Sequence, residues 1–267
     1  MSQKYPRKTV ETPRPANLLS EEWLEALSEA CEGIHAGEWE PAEAFLAAGG
    51  ALNGQDEQGT TLLFWAATTG QTEIVTRLLG RGADVDLADL RGWTALYSAA
   101  YYGLWDICRL LLEAGANVNL RQSDGWSALH HAVRRENPEM VALFLAHGAD
   151  PNTADTEGET VLHTAAYSAN VAIVRLLLER GADGNACDSD GWTVLHAACR
   201  SGNVELVRML VEEFHVSPNT QDTEEETPLD YITEYIEELE EDADRNGTDL
   251  DISGYVAIKN YLKLMKI

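Results

Sequence analysis

An all-α repeat solenoid, built from stacked helix pairs, is the fold to expect from this chain of 267 residues. Glycine recurs at Gly59, Gly92, Gly125, Gly158 and Gly191, each 33 residues after the last, and a hydroxyl follows two positions later at Thr61, Thr94, Ser127, Thr160 and Thr193. Within one interval lie the small residues Ala99 and Ala100, then Ile107, Leu110 and Leu111 at spacings of three and four, then Gly115. The hydroxyl suits a helix cap, and the alanines let helices approach closely. The apolar residues form the buried face of a second helix, which the glycine ends by accepting a left-handed conformation. One such pair buries too little surface alone, so neighbours must stack into a continuous core.

Residues 1–19 carry Pro6, Pro13 and Pro15 among Lys4, Arg7, Lys8 and Arg14, with no helical apolar period, and read as a flexible tail. Residues 20–55 form an N-terminal cap that shields the apolar end of the stack. Ser20 followed by Glu21 and Glu22 starts its helix, and Trp23, Leu24, Leu27 and Cys31 share a face. Gly37, Phe45, Leu46, Gly49, Leu52 and Asn53 stand 33 residues before Gly70, Leu78, Leu79, Gly82, Val85 and Asp86, which fixes the register of the cap.

Five internal copies follow at 56–88, 89–121, 122–154, 155–187 and 188–221. In the third, Glu136 replaces the mid-repeat glycine and Pro138 opens the second helix, so that turn is expected to differ. The fifth carries one extra residue, placed in FHVSPN, because Asn219 follows Asn185 by 34. Residues 222–267 begin as DTEEETPLDYI and then leave the register, which makes them a C-terminal cap with an acidic insertion at 237–251, either a loop or a lengthened helix. Ile258, Tyr261, Leu262 and Met265 then share one face of a last helix, whose Lys259, Lys263 and Lys266 suit its C-terminal dipole. So short a period makes residues 20–267 a single array.

The copies DSDGWTVLHAACRSGNVELVRMLVEE from Asp188 and DTEGETVLHTAAYSANVAIVRLLLERGADGN from Asp155 follow the pattern D-x-x-G-x-T-P-L-H-x-A-A-x-x-G, and the chain over 20–267 resembles ankyrin repeats. That resemblance implies helix-turn-helix units joined by β-hairpin loops, stacked into a curved array whose concave groove binds proteins. The family's proline after the threonine is replaced by Leu62, Ala95, Ala128, Val161 and Val194, and is kept at Pro228.

A net charge of −26 argues against nucleic acid or anionic lipid as a partner. The four cysteines form no Cys-x-x-Cys pair, and neither a signal segment nor a long apolar run is present, so a cytoplasmic setting is expected. No nucleophile, acid–base or phosphate-cradle pattern stands out, so the chain is read as a non-enzyme without a cofactor. His130, His163 and His196 recur in one slot. Equivalent positions in stacked repeats lie roughly 10 Å apart, too far to share a metal, so they are expected to make structural hydrogen bonds. Phe64 and Tyr97 fill the same slot. Asp242, Asp244, Asn246 and Gly247 spell the first half of an EF-hand-like calcium loop. Asp249 and Ser253 then fail its later positions, leaving only a weak calcium candidate.

In arrays of this kind the residues after the hairpin glycine and at the end of the first helix face the groove. Those positions, with the neighbouring hairpin arginines, give Arg91, Trp93, Tyr101, Tyr102, Arg121, Trp126, Arg134, Arg135, Tyr167, Trp192 and Arg200 as partner-binding residues, of types enriched at interfaces. The leading reading is a monomeric protein-interaction module that holds a protein or an extended peptide, with arginines suited to acidic or phosphorylated groups. A cationic ligand caged by Trp93, Trp126 and Tyr101 is the opposite-sign alternative. From a different class, a regulatory or targeting subunit would act through the acidic C-terminal region. The segment TPLDYITEYIEELEEDADRNGTDLD resembles part of the ankyrin array of myosin-phosphatase targeting subunits, although the basic docking motif of that family has no match here.

Overall fold

A computed structural model describes residues 21–246, 248 and 250–265. The tail at 1–19, the Ser20 cap, the Trp23 side chain, Gly247, Asp249 and Lys266 lie outside the described residues. Among those described there are fourteen α-helices, one π-helical segment and no strand, and the fold is an all-α repeat solenoid. The chain divides into two compact units, the first ending at Asn117 and the second starting at Val118.

In the first unit α1 (Glu21–Ala36) packs against α2 (Glu40–Ala47) and α3 (Leu62–Thr68), and α3 packs against α4 (Thr72–Gly80) and α5 (Ala95–Tyr102). The unit closes with α6 (Trp105–Glu113), seated on α5 and α4. In the second unit α7 (Ala128–Arg134) packs on α8 (Pro138–Ala146) and α9 (Val161–Tyr167). Next, α9 packs on α10 (Val171–Glu179) and α11 (Val194–Arg200), and α11 packs on α12 (Val204–Arg208), α13 (Pro228–Asn246) and α14 (Ser253–Met265). Leu96, Ile107 and Leu111 in one unit, and Leu129, Phe144, Leu162 and Ile173 in the other, are buried at the helix contacts that their spacing predicts.

The caps form as the hydroxyl pattern requires. Thr94 Oγ1 accepts from Tyr97 N at 3.1 Å, and Thr61 Oγ1 from Phe64 N at 3.1 Å. Gly115, at φ +90°, ends α6 with its N–H on Leu112 O at 3.0 Å while Ala116 N–H reaches Leu111 O at 3.0 Å. The hairpin glycine has a second constraint. A Cβ on Gly125 would stand 2.8 Å from Asp155 Cα, because the next hairpin lies directly against it and Thr156 N donates to Asp124 O at 2.9 Å. The hairpins contain no strand; within each of three, a single antiparallel bridge joins Arg121 to Ser127, Ala154 to Thr160 or Cys187 to Thr193. Asparagines form a further ladder, with Asn119 Oδ1 accepting from Asp150 N at 2.9 Å and Asn152 Oδ1 from Asp183 N at 2.7 Å.

Three expectations are corrected. Glu136, at φ +52°, keeps the left-handed turn that Gly37, Gly70, Gly103 and Gly202 make at +71° to +83°, and Ala169 does so at +56°. The surrounding stack dictates the turn even where its residue disfavours it. The extra residue of the fifth copy enters within the last helical turn: Met209–Glu213 is π-helical, Phe214 N reaches Met209 O at 3.3 Å, and His215 at φ +55° does the work of the usual glycine. On α14 Met265, expected to share the buried face, is exposed while Ile258, Tyr261 and Leu262 are buried; the acidic insertion takes the helical of its two expected forms and mostly lengthens α13, to 19 residues.

Candidate binding surfaces

In the first unit Trp93 follows the hairpin glycine, and α5 presents Tyr97 and Tyr101 to it one helical turn apart. The Trp93 ring lies 4.8 Å from Tyr97 and 5.0 Å from Tyr101, and Tyr101 meets Tyr102 edge-on at 5.0 Å. Tyr97 is buried, whereas Tyr101 and Tyr102 remain 40% and 51% exposed. The Arg91 guanidinium sits 4.5 Å over Trp93 and is fixed there by buried Asp89, with Nε donating to Oδ2 at 2.8 Å. The Arg91 guanidinium is therefore a stacked, partly neutralised plane, not a loose positive charge.

In the second unit Trp126 stacks on His130 at 5.3 Å and packs against His131 at 5.2 Å, while Arg134 lies 5.6 Å over the same ring. Burial pushes His130 and His131 down to about 4, so both rings are neutral at physiological pH. Arg135 is exposed at the end of α7. Arg121 turns along the stack, with Nη1 donating to Ala154 O at 3.1 Å, which gives it a structural task. Further along, the Arg200 guanidinium lies 5.4 Å from the ring of Tyr167, which is 55% exposed, beside a cavity of about 250 Å³ that Trp192 also lines.

The recurring histidines hold the frame of this surface. Thr160 N donates to His163 Nδ1 at 3.2 Å, which leaves Nε2 to carry the proton and donate to Trp192 O of the next hairpin at 3.0 Å. His196 repeats this with Thr193 N at 3.1 Å and Glu226 O at 3.2 Å. Burial lowers the pKa of both rings, so they serve as neutral hydrogen-bonding groups.

The residues of the weak calcium candidate do not converge where they are described. Asp242, Asp244 and Asn246 lie on the last turns of α13, where residues two apart point to nearly opposite sides, and Asp242 stands 3.4 Å from Arg245 Nη1. No cluster of His, Cys, Asp or Glu among the described residues is arranged to hold a metal ion. The cysteines are all free, and burial raises the Cys31 and Cys108 thiols to about 12, far from a reactive thiolate.

Sequence reasoning missed the aromatic continuation into the C-terminal cap. Tyr231 on α13 lies 4.6 Å from Trp192, Tyr235 stacks on Tyr231 at 5.6 Å, and Tyr255 of α14 meets Tyr235 edge-on at 5.5 Å. DYITEY carries the signal, since its tyrosines four apart share a helix face, within a stretch otherwise dominated by acids. A concavity of about 670 Å³ in the first unit, floored by Leu24, Leu27 and Trp65, also had no sequence cue.

The family model described as ankyrin repeats (3 copies) matches residues 27–122, 116–188 and 180–240, most of the chain. The chain belongs to the ankyrin-repeat family. No curated protein matches it as a relative. Ankyrin repeats are in general protein-interaction modules. None of the helices described is long and apolar enough to cross a membrane.

Proposed function

We propose that this ankyrin array is a non-catalytic module that binds a protein or an extended peptide through the aromatic and arginine-bearing ends of α5, α7, α9 and α11. The observation that carries this reading is the exposure of Tyr101 and Tyr102 at the end of α5 in the first unit and of Tyr167, at the position equivalent to Tyr101 two repeats on, at the end of α9 in the second, helix ends where the stack itself requires no large apolar ring. Exposed rings packed against one another supply contact area at low entropic cost, which is why tyrosine, tryptophan and arginine dominate interface energetics. Trp93, half-buried against Tyr101, and Trp126, half-buried against Arg134, supply the floor within their own units. Arg134 and Arg135 end α7 on an otherwise acidic molecule and supply a place for an acidic or phosphorylated group of the partner.

Affinity capture from a cell lysate, quantified by mass spectrometry, tests this directly. Tyr101→Ala/Tyr102→Ala is expected to remove a defined set of proteins retained by the wild type. Arg134→Glu/Arg135→Glu is expected to remove the acidic or phosphorylated members of that set. Identical capture by all three proteins means that another face binds.

A further inference from the structure

We propose that the cavity between the last hairpin and α13 is a docking site for an arginine side chain carried on an extended basic segment of a partner protein. The cavity encloses about 490 Å³ and lies wholly within the second unit. One wall is aromatic: Trp192 from its hairpin meets Tyr231 at 73°, and Tyr231 and Tyr235 stack at 14°. The rim is carboxylate: Asp222 from the hairpin, and Glu234 and Glu238 from α13, with no lysine or arginine among the described residues that line it. The helix creates this pairing, since Tyr231 with Tyr235 and Glu234 with Glu238 are each four residues apart and so share one face.

The rings and the charges point independently to one ligand chemistry. A guanidinium is planar, stacks on aromatic faces and accepts carboxylate pairing along its edge, so it meets both walls at once. An ammonium meets the charge but does not stack as a plane. A bare divalent cation needs about six oxygens around one point, whereas these carboxylates line a cavity with an aromatic side. Like charges also converge along this rim, and the nearby cation, Arg200, lines the adjoining cavity and not this one. Glu226 lies near enough to Glu234 that, after its own desolvation, the neighbouring carboxylate helps hold its pKa above the usual range. An arriving guanidinium relieves that repulsion.

An extended occupant follows from continuity. This cavity shares Asp190 and Trp192 with the smaller one beside Tyr167 and Arg200, so a segment seated in one runs into the other. The inference gives a ligand chemistry to one end of the surface proposed above and rests on that reading for the partner, while the cavity itself can be tested alone.

Titration calorimetry with blocked tetra-arginine, tetra-lysine and tetra-citrulline peptides is the test. Tetra-arginine is expected to bind saturably, tetra-lysine several-fold more weakly, and the neutral isostere tetra-citrulline not measurably. Glu234→Gln/Glu238→Gln should weaken tetra-arginine about tenfold or more, the order expected for losing charge-assisted pairs. Glu237→Gln/Glu240→Gln removes equal charge from the same helix outside the cavity and should change affinity less than about twofold, as general screening predicts. Equal losses in the two variants, equal binding of tetra-lysine, or no saturable binding would overturn the proposal. Since the probe needs no cellular partner, retained tetra-arginine binding beside unchanged lysate capture would show that the aromatic surface reading had failed and this one had not.

Discussion

The slot three residues after the helix cap is filled differently in the two units. In the first it holds Phe64 and Tyr97, buried rings that pack against Trp65 at 6.3 Å and Trp93 at 4.8 Å. In the second it holds His130, His163 and His196, and the last two bond the carbonyl of the next hairpin. The backbone and the hydroxyl cap are shared, so one geometry is held by apolar packing in one place and by a neutral imidazole bridge in the other. The difference predicts that coupling between neighbouring repeats of the second unit weakens when the imidazoles take a second proton, because Nδ1 then no longer accepts from the cap N–H. His130 stands between the two types. Its Nδ1 accepts from Ser127 N at 3.0 Å, as in the bridges, but its Nε2 has no hydrogen-bond partner.

Acid should break the comparison most forcefully. His130 falls from 6.5 to about 4 through burial, and His131 does the same through burial, then His130 and the nearby arginines. With the folded pKa below the unfolded one, the unfolded chain takes up protons first as pH drops. The stabilisation is therefore complete above about pH 6.5 and is lost toward pH 4, by roughly 3 kcal/mol for His130 alone. Glu159 and Glu226 act oppositely, since desolvation, first, raises both carboxyls. The contrast with His130→Phe/His131→Ala, which borrows the residues of Phe64 and Ala197, isolates the histidine contribution. Urea unfolding at pH 7 and pH 4.5 should show a fall in wild-type stability that the double variant largely lacks, and hydrogen exchange should show α7 and α8 losing protection before α3 and α4. The same pH dependence in both proteins would remove the histidines from the account.

At neutral pH a smaller contrast is expected. His163→Phe removes the bond from Thr160 N and the bridge to Trp192 O, and should cost about 1–2 kcal/mol in urea unfolding. His130→Phe keeps the ring stacked on Trp126, loses only the cap bond, and should stay within about 0.5 kcal/mol of wild type. Equal costs at the two positions would mean that the bridge to the next hairpin adds nothing.

What repeats was legible in the sequence. The cap hydroxyls, the alanines and the histidine bridges recur at a fixed period, and a recurring residue has one physical job that can be solved once. What occurs once was less legible. The spacing from Asn185 to Asn219 counts an extra residue, but whether it enters a loop or a helical turn depends on the backbone, and the π-helix at Met209–Glu213 had no composition to announce it. The candidate surface shows the same limit. Exposure of Tyr101, Tyr102 and Tyr167 follows from their register, whereas the capture of Arg91 by Asp89 and of Arg121 by Ala154 O depends on where side chains turn. Tyr231 and Tyr235 belong to a cap that has left the register, so no equivalent position pointed to them.

The mid-repeat turn gives the finest form of the comparison. The first unit uses Gly70 and Gly103 at φ +81° and +74°, while the second uses Glu136 and Ala169 at +52° and +56°. A side chain in this region crowds the following carbonyl by roughly 1–2 kcal/mol, partly offset because glycine loses more freedom on folding. Ala169→Gly should therefore stabilise the second unit by about 0.5–1 kcal/mol, and Gly70→Ala should destabilise the first by a similar amount. Space is not the issue at Gly70, where an added Cβ would lie 3.6 Å from Leu104 Cδ2, an ordinary contact, so the backbone conformation alone sets the sign. Opposite shifts in the urea midpoints of the two variants are the expected result. If Ala169→Gly lowers stability, the alanine methyl contributes more through packing than its left-handed backbone costs, and the two units are equally relaxed at this turn.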